Sequence, residues 1–392
     1  MNKRTFAFTI ILSGIVLAGL CGCGKKTAGE GEETAGSARA VEDAKTGKHP
    51  DSPGETEERG ADYYINGNGA VIRRGEQLTI GFSQIGAESD WRLASSASME
   101  DTFSIDNGYN LIFDNAQQKQ ENQIKAIREF IDQGVDYIIL DPIVETGWTS
   151  SLREAKEAGI PVIVVDREVR LDEEDLYTAW LGSDFRLEGD RACAWLQEYL
   201  DQKGVDGPVG ILHIQGTPGS SAQIGRSQAL FDAAKANGWN ILQSISGDFV
   251  QAKGKEVAEE AIRSFGDEIQ VVYCENDNMA YGVIEALEEA GRKAGTDLPG
   301  GEILIISFDS AKDGLEYTLD GTIAVDTECN PLYGPALSRL ILDLETGRQV
   351  EKKNYYGENQ FSAWDQITSL TLDQTEYPVT MVTEDVIKER IY

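Results

Sequence analysis

From Leu78 onward the sequence alternates short β-branched runs with amphipathic helical patterns, twice over, and this alternation is its strongest constraint. Strand, helix and strand in succession through short links settle into parallel sheets with helices on both faces. The pattern predicts an α/β protein of two doubly wound parallel-sheet lobes. In the first cycle, strands fall at residues 78–84, 111–113, 137–142, 160–165 and 177–181. One helix opens at Trp91-Arg92, and a second carries Ile124, Ile127 and Ile131 at helical spacing before Gly134. A third covers 148–158. In the second cycle, strands fall at 209–215, 241–245, 270–274 and 303–308, with helices near 221–237, 253–265 and 278–290. A late strand at 322–326 and a late helix at 330–346 follow, the helix returning to the first lobe.

Several strands end in polar residues. The run Ile160-Pro161-Val162-Ile163-Val164-Val165 reads as a strand buried on both faces, and it stops on Asp166-Arg167. Ligands of open α/β sheets bind beyond the carboxyl ends of the strands. An acceptor beside a planar donor fork suits neighbouring hydroxyls, and it equally suits a strand-end salt bridge. The first lobe also ends strands near 88–92 and at Asp141. The second contributes Gly216-Thr217-Pro218-Gly219 leading to Arg226, then Asn276-Asp277 and Asp309. Two lobes whose strand ends face one another enclose a cleft.

The amino terminus reads as a processing signal. Lys3 and Arg4 precede an apolar stretch at 6–20, too short and wrongly flanked for a spanning helix. It ends in Leu20-Cys21-Gly22-Cys23, which resembles a bacterial lipobox with Cys23 as the lipidated residue. A secretory signal cleaved elsewhere, or an uncleaved anchor, is the alternative. Residues 24–75 are rich in Gly, Glu, Ala, Thr and Ser and cannot bury enough apolar area to offset their ordering entropy. They are expected to be a flexible tether lifting a folded domain off a membrane.

The 392 residues suffice for two cores. The expected organisation is a leader at 1–22, a tether at 23–76, a first lobe from 77–183 plus 330–362, and a second from 184–329 plus 363–392. Formal charge is −32, and losing the two cations of the leader takes it to −34. That excludes nucleic acid as a partner, because phosphate binding needs a basic surface. Cys193, Cys274 and Cys329 sit in apolar settings and read as buried packing rather than as a disulfide or a nucleophile. With only His49 and His213, no cluster has metal-ligand spacing, and no metal is expected.

The chain resembles the type I periplasmic sugar-binding proteins of ABC importers, the ribose-binding group, and within it the galactofuranose binders. The segments that carry this are Gly81-Phe82-Ser83-Gln84-Ile85-Gly86 with Glu88-Ser89 and Trp91-Arg92, the run at 117–126, and Thr146-Gly147-Trp148. Asp166-Arg167, Gln215-Gly216-Thr217, Ser246-Gly247-Asp248-Phe249, Lys253-Gly254-Lys255-Glu256-Val257 and Asn276-Asp277 complete the set. The resemblance runs from about Leu78 to the carboxyl end. It implies that two lobes close on a monosaccharide through a three-segment hinge, with no cofactor and no catalytic residues.

Carried over by position, the resemblance makes Glu88, Ser89, Asp90, Trp91 and Arg92 a binding loop, with Trp91 stacking on the sugar. A helix-start aromatic packed into a core is the plainer reading of Trp91 taken alone. Arg92, Asp166 and Arg167 would hold hydroxyls, Arg226, Asn276 and Asp309 would grip from the second lobe, and Phe249 would pack on the ring. Asp90 stands where the galactofuranose binders have glycine, and Asp141, also counted with the site, where they have alanine. The segment at 327–331 diverges, leaving a contact from Glu328 open.

The function implied is a monomeric, lipid-anchored receptor on the extracytoplasmic face of the cell membrane. It would deliver a neutral monosaccharide to an ABC permease. A receptor presenting sugar to a membrane sensor or chemoreceptor is the alternative. A repressor effector lobe would need a DNA-binding segment where the leader and tether stand. An enzyme would need a carboxyl of raised pKa, which neighbouring arginines suppress.

Overall fold

The computed structural model describes residues 62–392. The expected leader, Cys23 and most of the expected tether lie outside those residues. The described chain opens with a hairpin, β1 (Tyr63–Ile65) and β2 (Val71–Arg73). It continues through β3 (Leu78–Gln84), α1 (Asp90–Thr102), β4 (Tyr109–Asn115), α2 (Gln120–Gln133), β5 (Tyr137–Leu140), α3 (Thr149–Glu157), β6 (Val162–Val165) and β7 (Ala179–Gly182). The cycle then repeats as α4 (Phe185–Lys203), β8 (Gly210–Gln215), α5 (Ser221–Asn237), β9 (Asn240–Ser246), α6 (Gln251–Phe265) and β10 (Val271–Cys274). It runs on through α7 (Asp277–Glu289), β11 (Leu304–Asp309), α8 (Lys312–Leu319) and β12 (Val325–Glu328). The carboxyl part holds α9 (Gly334–Glu345), β13 (Lys353–Tyr355), β14 (Gln360–Ser362), β15 (Ser369–Leu372), β16 (Thr375–Pro378), β17 (Thr380–Met381) and α10 (Glu384–Glu389).

One six-stranded sheet runs β13-β7-β6-β5-β3-β4, with every pairing parallel. A seven-stranded sheet runs β17-β14-β12-β11-β10-β8-β9. It is parallel from β9 to β12, but β14 joins β12 antiparallel, so the second lobe is mixed rather than purely parallel. In β6 the four residues Val-Ile-Val-Val are all buried, because helices cover both faces of the sheet. On one face, a Cβ at Gly81 would lie 2.5 Å from the Phe130 ring, so the glycine lets α2 settle directly on β3. Gly134, at φ 66°, ends that helix by donating to the Phe130 and Ile131 carbonyls.

The chain crosses between sheets three times, at 183–184, at 329–333 and at 356–359. The last crossover moves a boundary. Residues 360–362, expected in the first lobe, form β14 of the second sheet, because the chain leaves the first lobe directly after β13. The late strand lies at Val325–Glu328, later than expected, since its register is set by pairing with Ile306–Asp309.

The end of the expected tether is also not free. The hairpin buries Ala70, Val71 and Ile72. Its Val71 N–H donates to Ser338 Oγ (3.0 Å) and its Gly69 carbonyl accepts from Arg339 Nε (2.8 Å), both on α9. Three apolar residues in a row supply the burial that the preceding polar stretch lacks.

Candidate functional site

The first wall of the cleft is built where β3, β5 and β6 end. After β3, Ser89 caps α1 by accepting from Arg92 N–H (3.1 Å), which turns Glu88, Ser89, Trp91 and Arg92 toward the second lobe. The Arg92 guanidinium is the hub of this wall. Its Nε donates to Glu88 Oε1 (3.0 Å), both terminal nitrogens reach Asp166 Oδ2 (3.1 Å), and Nη1 also donates to Asp141 Oδ2. Burial alone would pull its pKa down, but Asp141, Glu88 and Asp166 more than reverse this, and it stays a fixed cation. Asp166 has φ 59°, a left-handed turn that short acidic side chains tolerate, and this aims its carboxylate at Arg92.

Arg167 is placed differently. It donates to the Ile143 carbonyl (3.0 Å) and its guanidinium lies 5.1 Å from the centre of the Phe249 ring of the other lobe. Burial, then the neighbouring Arg92, lowers its pKa from the usual arginine value.

The second wall repeats the theme with other partners. Arg226, only 2% exposed, donates from Nε to Glu188 Oε2 (2.7 Å) and from Nη1 to the Glu275 carbonyl, and lies 3.5 Å from Asp309 Oδ1. Burial lowers its pKa and Glu188 foremost raises it, leaving it well above the usual value. Burial drives Asp309 well above the carboxylate range despite Arg226. Asn276 caps α7 through Met279 N–H (3.0 Å) and donates to the Phe249 carbonyl. Phe249 occupies the space above Gly216, where a Cβ would lie 1.9 Å from the ring, so no larger residue fits at 216.

Between the walls lies a narrow cleft with about 300 Å³ of space unfilled by protein atoms, open solvent included. Ten of the residues expected at the site line it: Glu88, Ser89, Trp91, Arg92, Asp166, Arg167, Arg226, Phe249, Asn276 and Asp309. Two do not. Asp141 stands behind Arg92 as its counter-ion, one residue beyond β5, and Asp90 points out to the rim, where it meets Asn278. Trp91 lines the cavity, but Arg92 lies 4.5 Å from its ring centre, its edge meets Tyr333, and its Nε1 donates to the Cys329 carbonyl (2.6 Å). Glu328 lies off the cavity, held by Arg390, Tyr392 and Asn359.

Phe185, Ala222 and Cys329 complete the lining and went unanticipated. Glu188 was legible in principle: it sits on the apolar stripe of α4 with Phe185, Ala192 and Trp195, and an acid there requires a buried partner. Cys193, Cys274 and Cys329 are buried and unbridged. Glu188, Cys329 and Glu358 come close enough together for metal ligation. However, Glu188 already pairs with Arg226, and Glu358 accepts from Ser183 Oγ (2.5 Å) and Asn330 N–H (2.9 Å). His213, buried in β8, bonds Ser244 and Glu275 and lies off the cavity.

Two α/β lobes joined by three crossovers, with a polar cavity between facing strand ends, define a hinged binding protein of the periplasmic type. Residues 80–333 match the family model of the periplasmic binding protein domain, and the chain belongs to that family. It is 40% identical over 279 residues to the galactofuranose-binding protein YtfQ of Escherichia coli (strain K12), covering 70% of this chain and 85% of the relative. A solved Mycobacterium smegmatis protein in complex with β-D-fucofuranose is 40% identical, with a TM-score of 0.68 over 73% of this chain and 91% of that one. The binding component of the arabinose ABC transporter of Shewanella sp. ANA-3, bound to α- and β-L-arabinofuranose, is 38% identical. Its TM-score is 0.67, over 73% of this chain and 92% of that one.

Proposed function

We propose that this protein captures a neutral monosaccharide in its furanose form and hands it to an ABC permease, without chemistry of its own. The observation that carries this is the cavity's charge balance. Glu88, Asp166 and Asp309 stand in the lining against Arg92, Arg167 and Arg226. Of these arginines, Arg92 and Arg226 are ion-paired to buried acids, while Arg167 keeps donors free. Such a lining suits a ligand rich in hydroxyls and penalises an anion, which would face three buried acids as well as the one arginine with free donors. The furanose form is supported by the fucofuranose and arabinofuranose bound to two similar structures and by similarity to a galactofuranose-binding protein.

Arg167, with a single protein hydrogen bond and its flank on Phe249, is the principal free donor to the sugar. Asp166, Asn276 and Asp309 complete the polar grip, and Trp91 and Phe249 bound the ring. Cys23 carries the lipid, and two acyl chains hold the protein stably at the extracytoplasmic face of the membrane as a monomer.

Thermal denaturation of the full chain tests the sugar assignment. L-arabinose, D-fucose and a methyl galactofuranoside should each raise the melting temperature by mass action. Methyl galactopyranoside, locked in the six-membered ring, should not. Stabilisation by the pyranoside alone, or by none of the four, would overturn the assignment.

A further inference from the structure

The cleft is also bridged where no cavity residue takes part. At one rim, Asp90 N–H donates to Asn278 Oδ1 (3.2 Å), and Asn278 Nδ2 donates back to Asp90 Oδ2 (3.0 Å). The two residues lie 188 positions apart in the chain and belong to different lobes. Both sit at helix starts. Asp90 opens α1 behind its cap Ser89, and Asn278 is the second residue of α7 behind its cap Asn276. The caps fix both backbones, so the reciprocal pair forms between two rigid points rather than two loose side chains. An aspartate here is favoured twice, since its charge lies near the positive ends of both helices.

The opposite rim is joined by Glu168 N–H to Ser221 Oγ (2.8 Å) and by Glu145 N–H to the Gly219 carbonyl (3.0 Å). Of the three bridges, only Asp90–Asn278 joins two side chains, so it alone depends on the identity of both residues.

We propose that Asp90 and Asn278 form a latch that holds the lobes closed whatever the ligand, and so sets affinity and residence time without setting specificity. A residue lining the cavity changes the ranking of ligands. A residue that acts only on closure scales the apparent dissociation constant of every ligand by the closed fraction. The latch rests on reading the cleft as a ligand site only for this effect on affinity; closure itself can be measured without any ligand.

The test is the distance between spin labels at Asp132→Cys and Lys235→Cys, exposed positions on α2 and α5, in the full chain without sugar. Cys193, Cys274 and Cys329 are buried and do not compete for label, and Cys21 and Cys23 are replaced by serine in every protein compared. The parent should show a substantial short-distance population. Asn278→Asp sets two carboxylates against each other and should cut the ratio of short to long distances by about tenfold, a charged hydrogen bond exchanged for repulsion. Adding Asp90→Asn restores a donor facing an acceptor and should bring the short distance back. Asp90→Ala should reproduce the opening, with helical circular dichroism unchanged.

A ligand-free parent with only the long distance, an Asn278→Asp protein indistinguishable from it, or a double variant that stays open would each overturn the latch. No sugar enters this measurement, so its failure and the failure of the furanose assignment are separately visible.

Discussion

In the first wall of the cleft, Arg92 faces Glu88, Asp141 and Asp166, and every acid that lowers into the site finds the same cation. In the second wall Arg226 reaches Glu188 and Asp309, while behind Asp309 lie Asp277 and Asp326, hydrogen-bonded to each other and otherwise held by neutral partners. Asp277 accepts from Ser307 Oγ (2.5 Å) and Ala311 N–H (2.8 Å), and Asp326 accepts from Ser310 N–H (3.0 Å). Burial pushes carboxyls upward in both walls, Asp141 in the first and Asp309, Asp277 and Asp326 in the second. The first wall gathers its acids on one arginine, while the second spreads them over Arg226 and neutral donors. The difference follows from topology: α1 carries its arginine into the middle of three strand ends, whereas Arg226 on α5 approaches its acids from one side. A buried charge must be paired, hydrogen-bonded or neutralised, and the two walls use different routes to the same neutral interior.

The sharpest way to break the comparison is to remove each hub. Arg92→Met should leave three buried acids without their cation and lower stability by about 3–5 kcal/mol in urea denaturation. Arg226→Met should lose less, because Arg226 is ion-paired to two acids, Glu188 and Asp309, where Arg92 holds three. Equal losses would mean that the walls are not distinct.

Arg167→Ala comes next. It should leave the melting temperature nearly unchanged while weakening sugar binding by roughly one to two decades, the worth of a hydrogen bond of about 1.5–3 kcal/mol from a charged donor. Isothermal titration beside a thermal melt separates the two. Unfolding in place of lost binding would make Arg167 a structural cation like the hubs.

The third prediction concerns pH and belongs to the second wall. Burial, with Asp309 nearby, raises Asp326 from 3.8 to about 7 in the folded protein. The folded state therefore binds its proton more tightly than the unfolded chain does. The stability this contributes is complete below the ordinary carboxylate value and is lost as pH rises through about 7. Asp326→Asn should flatten that part of the profile. A profile of denaturation midpoint between about pH 4 and 7 that Asp326→Asn leaves unaltered would break the assignment.

The smallest effect compares the caps. Ser89→Ala and Asn276→Ala each remove a helix cap, from α1 and α7, at roughly 1 kcal/mol, and Asn276→Ala also removes the bond to the Phe249 carbonyl. A loss confined to one lobe's melting would show that the helices differ in more than their caps.

Much of the fold was legible because burial enforces local patterns. A strand covered on both faces must be apolar throughout, as β6 is, and a helix on a sheet must repeat its apolar residues at helical spacing, as α2 does. The hairpin at 63–73 was missed because strands of three residues carry too little pattern to stand out from the polar stretch before them. Strand β14 was assigned to the wrong lobe because three residues hold no record of which sheet they pair with.

At the cleft, the sequence by itself determined which residues stand at strand ends, since chain order and the period of the elements place Asp166, Arg167, Asn276 and Asp309 there. Only the tertiary structure decided which of them face the cavity. Asp90 and Trp91 are neighbours in the chain, yet successive helical residues point about 100° apart, so one reaches the rim and the other the lining. Asp141 and Asp166 both follow strands of the same sheet, yet only the position of the Arg92 guanidinium puts one behind the hub and the other in front. Those outcomes depend on side chains from distant segments competing for the same donors, and that competition exists only once the lobes are packed.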